Sequence, residues 1–235
     1  MPIVALAEVA RATRRRASSN GTQFWLTTFI GANRYTADAD APPRAGAIYP
    51  MAFLVEQDAD EVVGAHYHQA DQFQVMIGGS GRLGSHDVTP VAVHFAGAYT
   101  AYGPLRAGGG GLGYFTLRNG WDPGARYMEF PEVRAALRNV PRRHREVVGE
   151  TGAPAADGFS TQRMRLAPGG VGAGPDPASG AGQFWVVLSG GLLHQDKVLP
   201  SKSCVFVGPD EGPFIAMAAG DGAEVLALQF PRHSS

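Results

Sequence analysis

Short runs of β-branched and aromatic residues, separated by glycine- and proline-rich turns, make up most of the chain. Such runs are typical of β-strands. We expect strands over residues 23–30, 47–55, 91–96, 113–118, 204–207 and 224–230. A short helix is predicted over 131–138, with proline in its first turn. Residues 2–17 predict a short helix or arm, and the four glycines at 108–111 a flexible turn. The pattern as a whole predicts an all-β protein.

The glycine and proline content indicates many turns, and the charge and cysteine content argue against some classes of function and location. Gly 32 and Pro 17 together give 49 of 235 residues, against a usual share of about 12%. The formal net charge of −1 argues against nucleic acid or anionic membrane as a general partner. One cysteine, Cys204, permits no internal disulfide and suits a reducing compartment. The N-terminal arginines follow the apolar stretch instead of preceding it, so we expect no signal peptide and a cytoplasmic protein.

One segment of the chain occurs twice. The sequence Gln-Phe-Gln-Val-Met-Ile-Gly-Gly at residues 72–79 is echoed by Gln-Phe-Trp-Val-Val-Leu-Ser-Gly-Gly at 183–191. The offset, 183 − 72 = 111 residues, is close to half the chain. A repeat of domain size indicates duplication, so we expect two similar β domains in one chain.

The most specific chemistry lies just before the first copy of the repeat. His66 and His68 are two residues apart, and Gln72 follows four residues later. Side chains at i and i+2 of a strand share a face, so both imidazoles can face one cavity. Neutral imidazole is the commonest protein ligand for metals. A tight hairpin between His68 and Gln72 would bring the amide to the same place.

This segment resembles the first motif of the cupin superfamily, Gly-x5-His-x-His-x3,4-Glu-x6-Gly. His66 and His68 match its histidines and Gly79 its last glycine, while Gln72 replaces the glutamate and the first spacer differs. Counting along the family's second motif places Tyr102 where its histidine would be. The resemblance implies two jelly-roll barrels in one chain. It also implies a divalent transition metal (Zn, Fe, Ni, Mn or Cu) held by His66, His68 and Gln72, less tightly than with a glutamate.

The roles of the neighbouring residues stay open at this point. Tyr102 can ligate, or it can act as acid or base beside a metal cation that stabilises its phenolate and lowers its pKa, which we take as the catalytic prediction. It can also be a buried structural tyrosine. Gln74 shares a face with Gln72 and is a candidate for binding substrate. His94 is a second such candidate or a structural strand histidine. In the repeat, Pro177 and Ser179 occupy the histidine positions, so the second domain is expected to hold no metal.

The expected organisation follows from the resemblance. It comprises an N-terminal helix or arm at 1–20, a first cupin domain at 21–122, a connector with a short helix at 123–155, and a degenerate second cupin domain at 156–235. The first function hypothesis is a metal-dependent enzyme on a small molecule, of the dioxygenase, isomerase, lyase or cyclase type. The alternatives are a non-catalytic cupin that binds or senses a small ligand, and a structural dimerisation domain; a homodimer is also left open.

Overall fold

A computed structural model of the protein describes residues 1–32, 43, 46–141 and 144–232. The first part of the chain forms β1 (Ile3–Ala5), β2 (Arg15–Ser19), β3 (Thr22–Ile30), β4 (Met51–Gln57), β5 (Val62–Val63), β6 (His66–Tyr67), β7 (Gln72–Leu83), β8 (His86–Val88), β9 (Ala92–Ala96), β10 (Leu105–Arg118), β11 (Arg126–Tyr127) and β12 (Glu146–Val148). The remainder forms β13 (Ser160–Leu166), β14 (Val171–Ala173), β15 (Gln183–His194), β16 (Lys197–Pro200), β17 (Cys204–Val207) and β18 (Ile215–Gln229).

Helices are few and short. They are α1 (Ala7–Arg11), α2 (Pro131–Arg138) and a 3₁₀ turn at Pro177–Ser179. The second begins at a proline, as predicted, because the missing N–H of proline is harmless in the first turn. Within the part of the chain that the structure describes, no helix is long and apolar enough to cross a membrane.

The chain divides into two compact units: a first unit, Thr13–Gly149, and a second unit, Met1–Ala12 with Glu150–Ser235. The first unit contains an antiparallel sheet in the order β12-β9-β7-β10-β4-β3-β2, with β5 added to β10 and β8 added to β7. A separate pair, β11-β6, carries His66. Apolar side chains from these strands, including Met51, Phe53, Met76 and Leu105, form its core.

The second unit contains a sheet in the order β1-β17-β15-β18-β13, with β14 added to β18 and β16 added to β15. Its edge strand β1 comes from the N-terminus, where Val4 pairs with Val205. Trp185, Val187, Leu192 and other fully buried side chains fill its core.

The two copies of the repeat occupy equivalent strands, which confirms the predicted duplication. β7 lies between β9 and β10, and β15 lies between β17 and β18. The register agrees as well, since Gln72 pairs with Arg118 and Gln183 with Gln229. The all-β prediction is therefore confirmed. Each sheet order has two free ends, so among the described residues neither sheet closes into a fully hydrogen-bonded barrel.

Two local predictions need correction. The four glycines at 108–111 are not a loop but part of β10, which bulges between Ala107 and Leu112. Gly111 has φ +78°, and a Cβ there would lie 2.7 Å from the Gln57 carbonyl oxygen, so the bulge requires glycine. The N-terminal segment is likewise not one helix or arm, because strands β1 and β2 flank the single-turn helix α1.

Candidate active site

A buried polar cluster lies where four segments of the first unit meet: β6, the start of β7, the segment around Tyr102 and the end of β10. A two-way backbone bridge holds Tyr102 beside His66, with His66 N 3.1 Å from Tyr102 O and Tyr102 N 3.0 Å from His66 O. Pairing of β7 with β10 sets Gln72 opposite Arg118. The local fold therefore brings His66, His68, Gln72 and Tyr102 together, as the sequence predicted.

One half of the cluster is a chain of hydrogen bonds through Tyr102. His66 Nδ1–H donates to the Gly64 carbonyl oxygen at 2.7 Å, which leaves Nε2 as an acceptor. The Tyr102 hydroxyl donates to that Nε2 at 2.9 Å. Gln72 Nε2 in turn donates to the Tyr102 oxygen at 2.6 Å. Because Gly64 offers only a carbonyl oxygen, His66 carries its proton on Nδ1, and the Tyr102 hydroxyl donates to Nε2.

The other half is built around Arg118. Its Nε and Nη2 donate to Gln72 Oε1 at 2.9 and 2.6 Å, and Nη2 lies 3.1 Å from His68 Nε2. His68 Nδ1 donates to Asp122 Oδ1 at 2.7 Å. Asp122 also accepts from the backbone N–H of Gln69 and is 3.9 Å from Arg118 Nη1. His68 is thus held between a carboxylate and a guanidinium.

Burial decides the protonation states of the two histidines. Desolvation, aided by His68 and Arg118, lowers the pKa of His66 to about 3. Desolvation and the Arg118 charge also lower the pKa of His68. Burial raises the pKa of Asp122, but Arg118 and His68 together with hydrogen bonds outweigh it, so the net pKa is well below its usual range. Both imidazoles are therefore neutral near pH 7 and Asp122 is ionised.

Tyr102 differs electrostatically from the sequence-based expectation. A nearby cation was expected to stabilise its phenolate, and Arg118 does act in that direction. Desolvation is larger, however, and raises the pKa of Tyr102 above its ordinary value. Tyr102 is therefore a neutral phenol that donates a hydrogen bond.

The two predicted substrate-binding residues occupy different places. Gln74 lines the cavity above the cluster. His94 is fully buried, and its nitrogens lie 3.0 Å from Gln74 Oε1 and 3.0 Å from Glu146 Oε1. His94 therefore positions Gln74, while its ring packs 4.9 Å from that of Tyr102.

A cavity of about 650 Å³ opens above the polar cluster, within the size range of small-molecule sites. Its lining includes His66, His68, Gln72, Tyr102 and Arg118. Two further arginines, Arg15 and Arg16, also line it, and among the described lining residues there is no aspartate or glutamate. The electrostatic character of the cavity favours a polar or anionic small molecule.

No protein-family model matches the sequence. No curated protein matches it either. Solved structures do: a provisionally assigned dioxygenase from Nostoc punctiforme has a TM-score of 0.63 at 11% identity, with 100% of this chain and 84% of that chain covered. The chain has the cupin fold. Two further solved structures share this fold. Escherichia coli pirin in complex with nickel(II) has a TM-score of 0.58 at 12% identity, with 99% of this chain and 100% of that chain covered. Bacillus subtilis oxalate decarboxylase with Mn(II) centres has a TM-score of 0.55 at 10% identity, with 100% of this chain and 78% of that chain covered.

The second cupin unit has a filled centre. Gln183 Nε2 donates to Gln229 Oε1 at 2.8 Å, and Trp185 Nε1 donates to Gln183 Oε1 at 2.6 Å. Gln229 Nε2 donates to the Ser179 hydroxyl at 2.8 Å, and Pro177 begins the 3₁₀ turn before it. By register and by the repeat, Gln183 corresponds to Gln72, Gln229 to Arg118 and Trp185 to Gln74, while Pro177 and Ser179 hold the histidine positions. The absence of metal from this unit stays a prediction.

Sequence reasoning missed Arg118 and Asp122. A signal was present, because Tyr114, Thr116 and Arg118 alternate along β10 and all line the cavity. An arginine on the inward face of an otherwise apolar strand is rarely buried without a partner. Its side chain is only 6% exposed, and Asp122, four residues later, is fully buried.

The observed contacts do not fit a metal ion in this cupin centre. Among the described residues there is no group of three or more histidine, cysteine, aspartate or glutamate side chains arranged for an ion. The Gln72 oxygen already accepts two N–H groups of Arg118, and the lone pair of His66 Nε2 accepts the Tyr102 hydroxyl. An ion at the predicted ligands would therefore need Arg118 and Tyr102 to give up these contacts.

Proposed function

We propose that the first unit is the active site of a small-molecule enzyme that moves a proton beside a carbonyl or carboxylate group, as in isomerisation or elimination. The observation that carries this proposal is the His68–Asp122 pair, which lies next to Arg118 and Tyr102 below the cavity. A neutral imidazole oriented by a carboxylate is a general base, and a neutral phenol donates a hydrogen bond to a developing enolate oxygen. Both groups are side chains of this chain.

The residue roles follow from the hydrogen bonds. A substrate oxygen that accepts from Arg118 draws the guanidinium away from the His68 ring, so that the substrate can reach His68 Nε2. The substrate C–H bond then breaks, its proton goes to His68 Nε2, and the electron pair stays on the substrate as an enolate. Arg118 donates to the enolate oxygen, and so does the Tyr102 hydroxyl once it turns away from His66 Nε2. Asp122 stabilises the imidazolium until His68 returns the proton to a different carbon or to a leaving group.

A metal-dependent enzyme is the second candidate, favoured by the fold that the chain shares with nickel and Mn(II) proteins. In it His66, His68 and Gln72 would bind a divalent transition metal (Zn, Fe, Ni, Mn or Cu), which supplies Lewis-acid or oxygen chemistry when bound. Gln74, positioned by His94, contacts substrate in both candidates. Homodimerisation, a cytoplasmic location and the domain limits stay predictions from the sequence.

The test is deuterium exchange at carbon. A panel of small keto acids, hydroxy acids and sugar-derived carbonyl compounds is incubated with the protein in D₂O and followed by NMR, with and without a chelator. We expect exchange at a carbon beside the carbonyl that a chelator does not suppress. Exchange or turnover that requires added metal would support the second candidate. Tight binding of one compound without any exchange would contradict both enzyme proposals and indicate a non-catalytic ligand-binding protein.

Tyr102→Phe removes one hydroxyl and keeps the ring. We expect the exchange rate to fall about 10²–10³-fold, because the enolate oxygen loses one of its hydrogen-bond donors. The matched control is Tyr99→Phe, since Tyr99 does not line the cavity. The thermal unfolding midpoint checks that both variants fold. A Tyr102→Phe protein with full exchange activity would reduce Tyr102 to a packing role.

A further inference from the structure

We propose that Arg118 is the resident cation of this cupin centre, and that a divalent-metal site at His66, His68 and Gln72 is latent behind it. The guanidinium donates to one predicted ligand atom, Gln72 Oε1, at 2.6 and 2.9 Å. It also lies against the ring of a second ligand, with Nη2 3.1 Å from His68 Nε2 and 3.2 Å from His68 Nδ1. An ion would bind through the Gln72 oxygen that these N–H groups now use, and in the space beside His68 that the guanidinium now fills. Guanidinium and metal therefore exclude each other.

The rest of the centre is arranged as a metal site would be. Gly64 holds the Nδ1–H of His66, and Asp122 holds the Nδ1–H of His68, so each imidazole presents an unprotonated Nε2. A carbonyl or carboxylate behind the histidine is the arrangement that orients imidazole ligands on metals. Two groups lie where an ion would lie: the Arg118 guanidinium, and the Tyr102 hydroxyl that His66 Nε2 accepts.

Local charge supports the same conclusion. Arg118 Nη1 lies 3.9 Å from Asp122 Oδ1, so the two opposite charges at the centre balance each other, and the Gln72 amide adds no charge. A divalent ion added to this set would be an uncompensated charge beside a buried guanidinium. Without Arg118 the charge of Asp122 remains, and it offsets part of the charge of an ion.

The second unit indicates which substitution to make. In the first unit Arg118 pairs with Gln72 across neighbouring strands. In the second unit Gln229 pairs with Gln183 in the same way. Glutamine is therefore a residue that this position of the fold accommodates when a glutamine lies opposite. Arg118→Gln removes the cation with a side chain that the duplicated strand already carries.

The experiment is a titration with Co²⁺ and Ni²⁺ of untagged protein, followed by calorimetry and by the visible absorption of bound Co²⁺. Arg118→Gln is expected to bind at least ~10-fold more tightly than wild type, because the competing buried charge is gone. The gain should vanish when His66→Ala and His68→Ala are added. Arg106→Gln, on the exposed part of the same strand, should leave the affinity at the wild-type value.

Equal affinity of wild type and Arg118→Gln would overturn the proposal, as would a gain that survives loss of both histidines. If Arg118→Gln does not fold, Arg118→Gln with Asp122→Asn removes both buried charges together and is titrated in its place. One result with the wild-type protein alone would also contradict a centre occupied by Arg118: tight binding of one ion that is lost when His66 and His68 are replaced.

Discussion

Asp122→Asn is expected to lower the free energy of unfolding by about 3–5 kcal/mol, because it leaves the buried Arg118 charge without its carboxylate. The substitution is nearly isosteric, so the change measures charge more than volume. The Asp122 side chain is completely buried, with an exposure of 0%, and the Arg118 side chain is 6% exposed. Urea unfolding followed by circular dichroism at pH 7.5 measures the loss. Proton exchange should also fall, since His68 loses the group that stabilises its charged form.

Two controls separate this effect from ordinary loss of a contact. Asp58→Asn breaks the Arg16–Asp58 pair, whose side chains are 40% and 50% exposed, and should change the unfolding free energy by less than about 1 kcal/mol. Adding Arg118→Met to Asp122→Asn removes the unpaired charge and should restore part of the stability. A double variant no more stable than Asp122→Asn alone would show that the two charges are not coupled.

The protein should lose stability on mild acidification, before carboxylates protonate. The folded-state pKa values of His66 and His68 lie below their unfolded value of 6.5, at about 3 for His66. The unfolded chain therefore binds more protons, so stability is complete above pH 6.5 and is lost as pH falls towards the folded pKa values. Each histidine contributes a slope of up to about 1.4 kcal/mol per pH unit. Urea unfolding at pH 6.0, 5.5 and 5.0 measures the combined slope.

Variants assign this slope to residues. His66→Gln and His68→Gln should each flatten it by about 1.4 kcal/mol per pH unit, whatever they do to stability at pH 7.5. His86→Gln, at an exposed histidine of β8, should leave it unchanged. A slope that is insensitive to both buried histidines would mean that they carry protons in the folded protein.

The duplicated architecture could be predicted from sequence because it leaves a periodic record. The repeat beginning at Gln72 and Gln183 located two equivalent strands. Runs of β-branched and aromatic residues located β3, β4, β9, β10, β17 and β18, but strands such as β2 and β13 were not predicted. The spacing of His66, His68 and Gln72 gave the location of the centre. The glycines at 108–111 were misassigned because strand propensity reflects side chains, whereas β10 runs through these glycines as a bulge between Ala107 and Leu112.

The cation at the centre was beyond sequence reasoning for a different reason. Arg118 lies 46 residues from Gln72 and 50 from His68 along the chain, and they meet only through the pairing of β7 with β10. A family motif describes ligands that are close in sequence and says nothing about what faces them from a distant strand. The direction of the Tyr102 pKa shift was wrong for the same reason, because burial is a property of the whole fold.

The most direct test of a centre built from Arg118, His68 and Asp122 is the metal content of the wild-type protein. The protein is purified without a histidine tag from medium supplemented with transition metals, and the metals are measured by plasma mass spectrometry after gel filtration. The account predicts a content far below one ion per chain, with proton-exchange activity unchanged by a chelator. One ion per chain, lost together with activity in the His66→Ala, His68→Ala double variant, would contradict it.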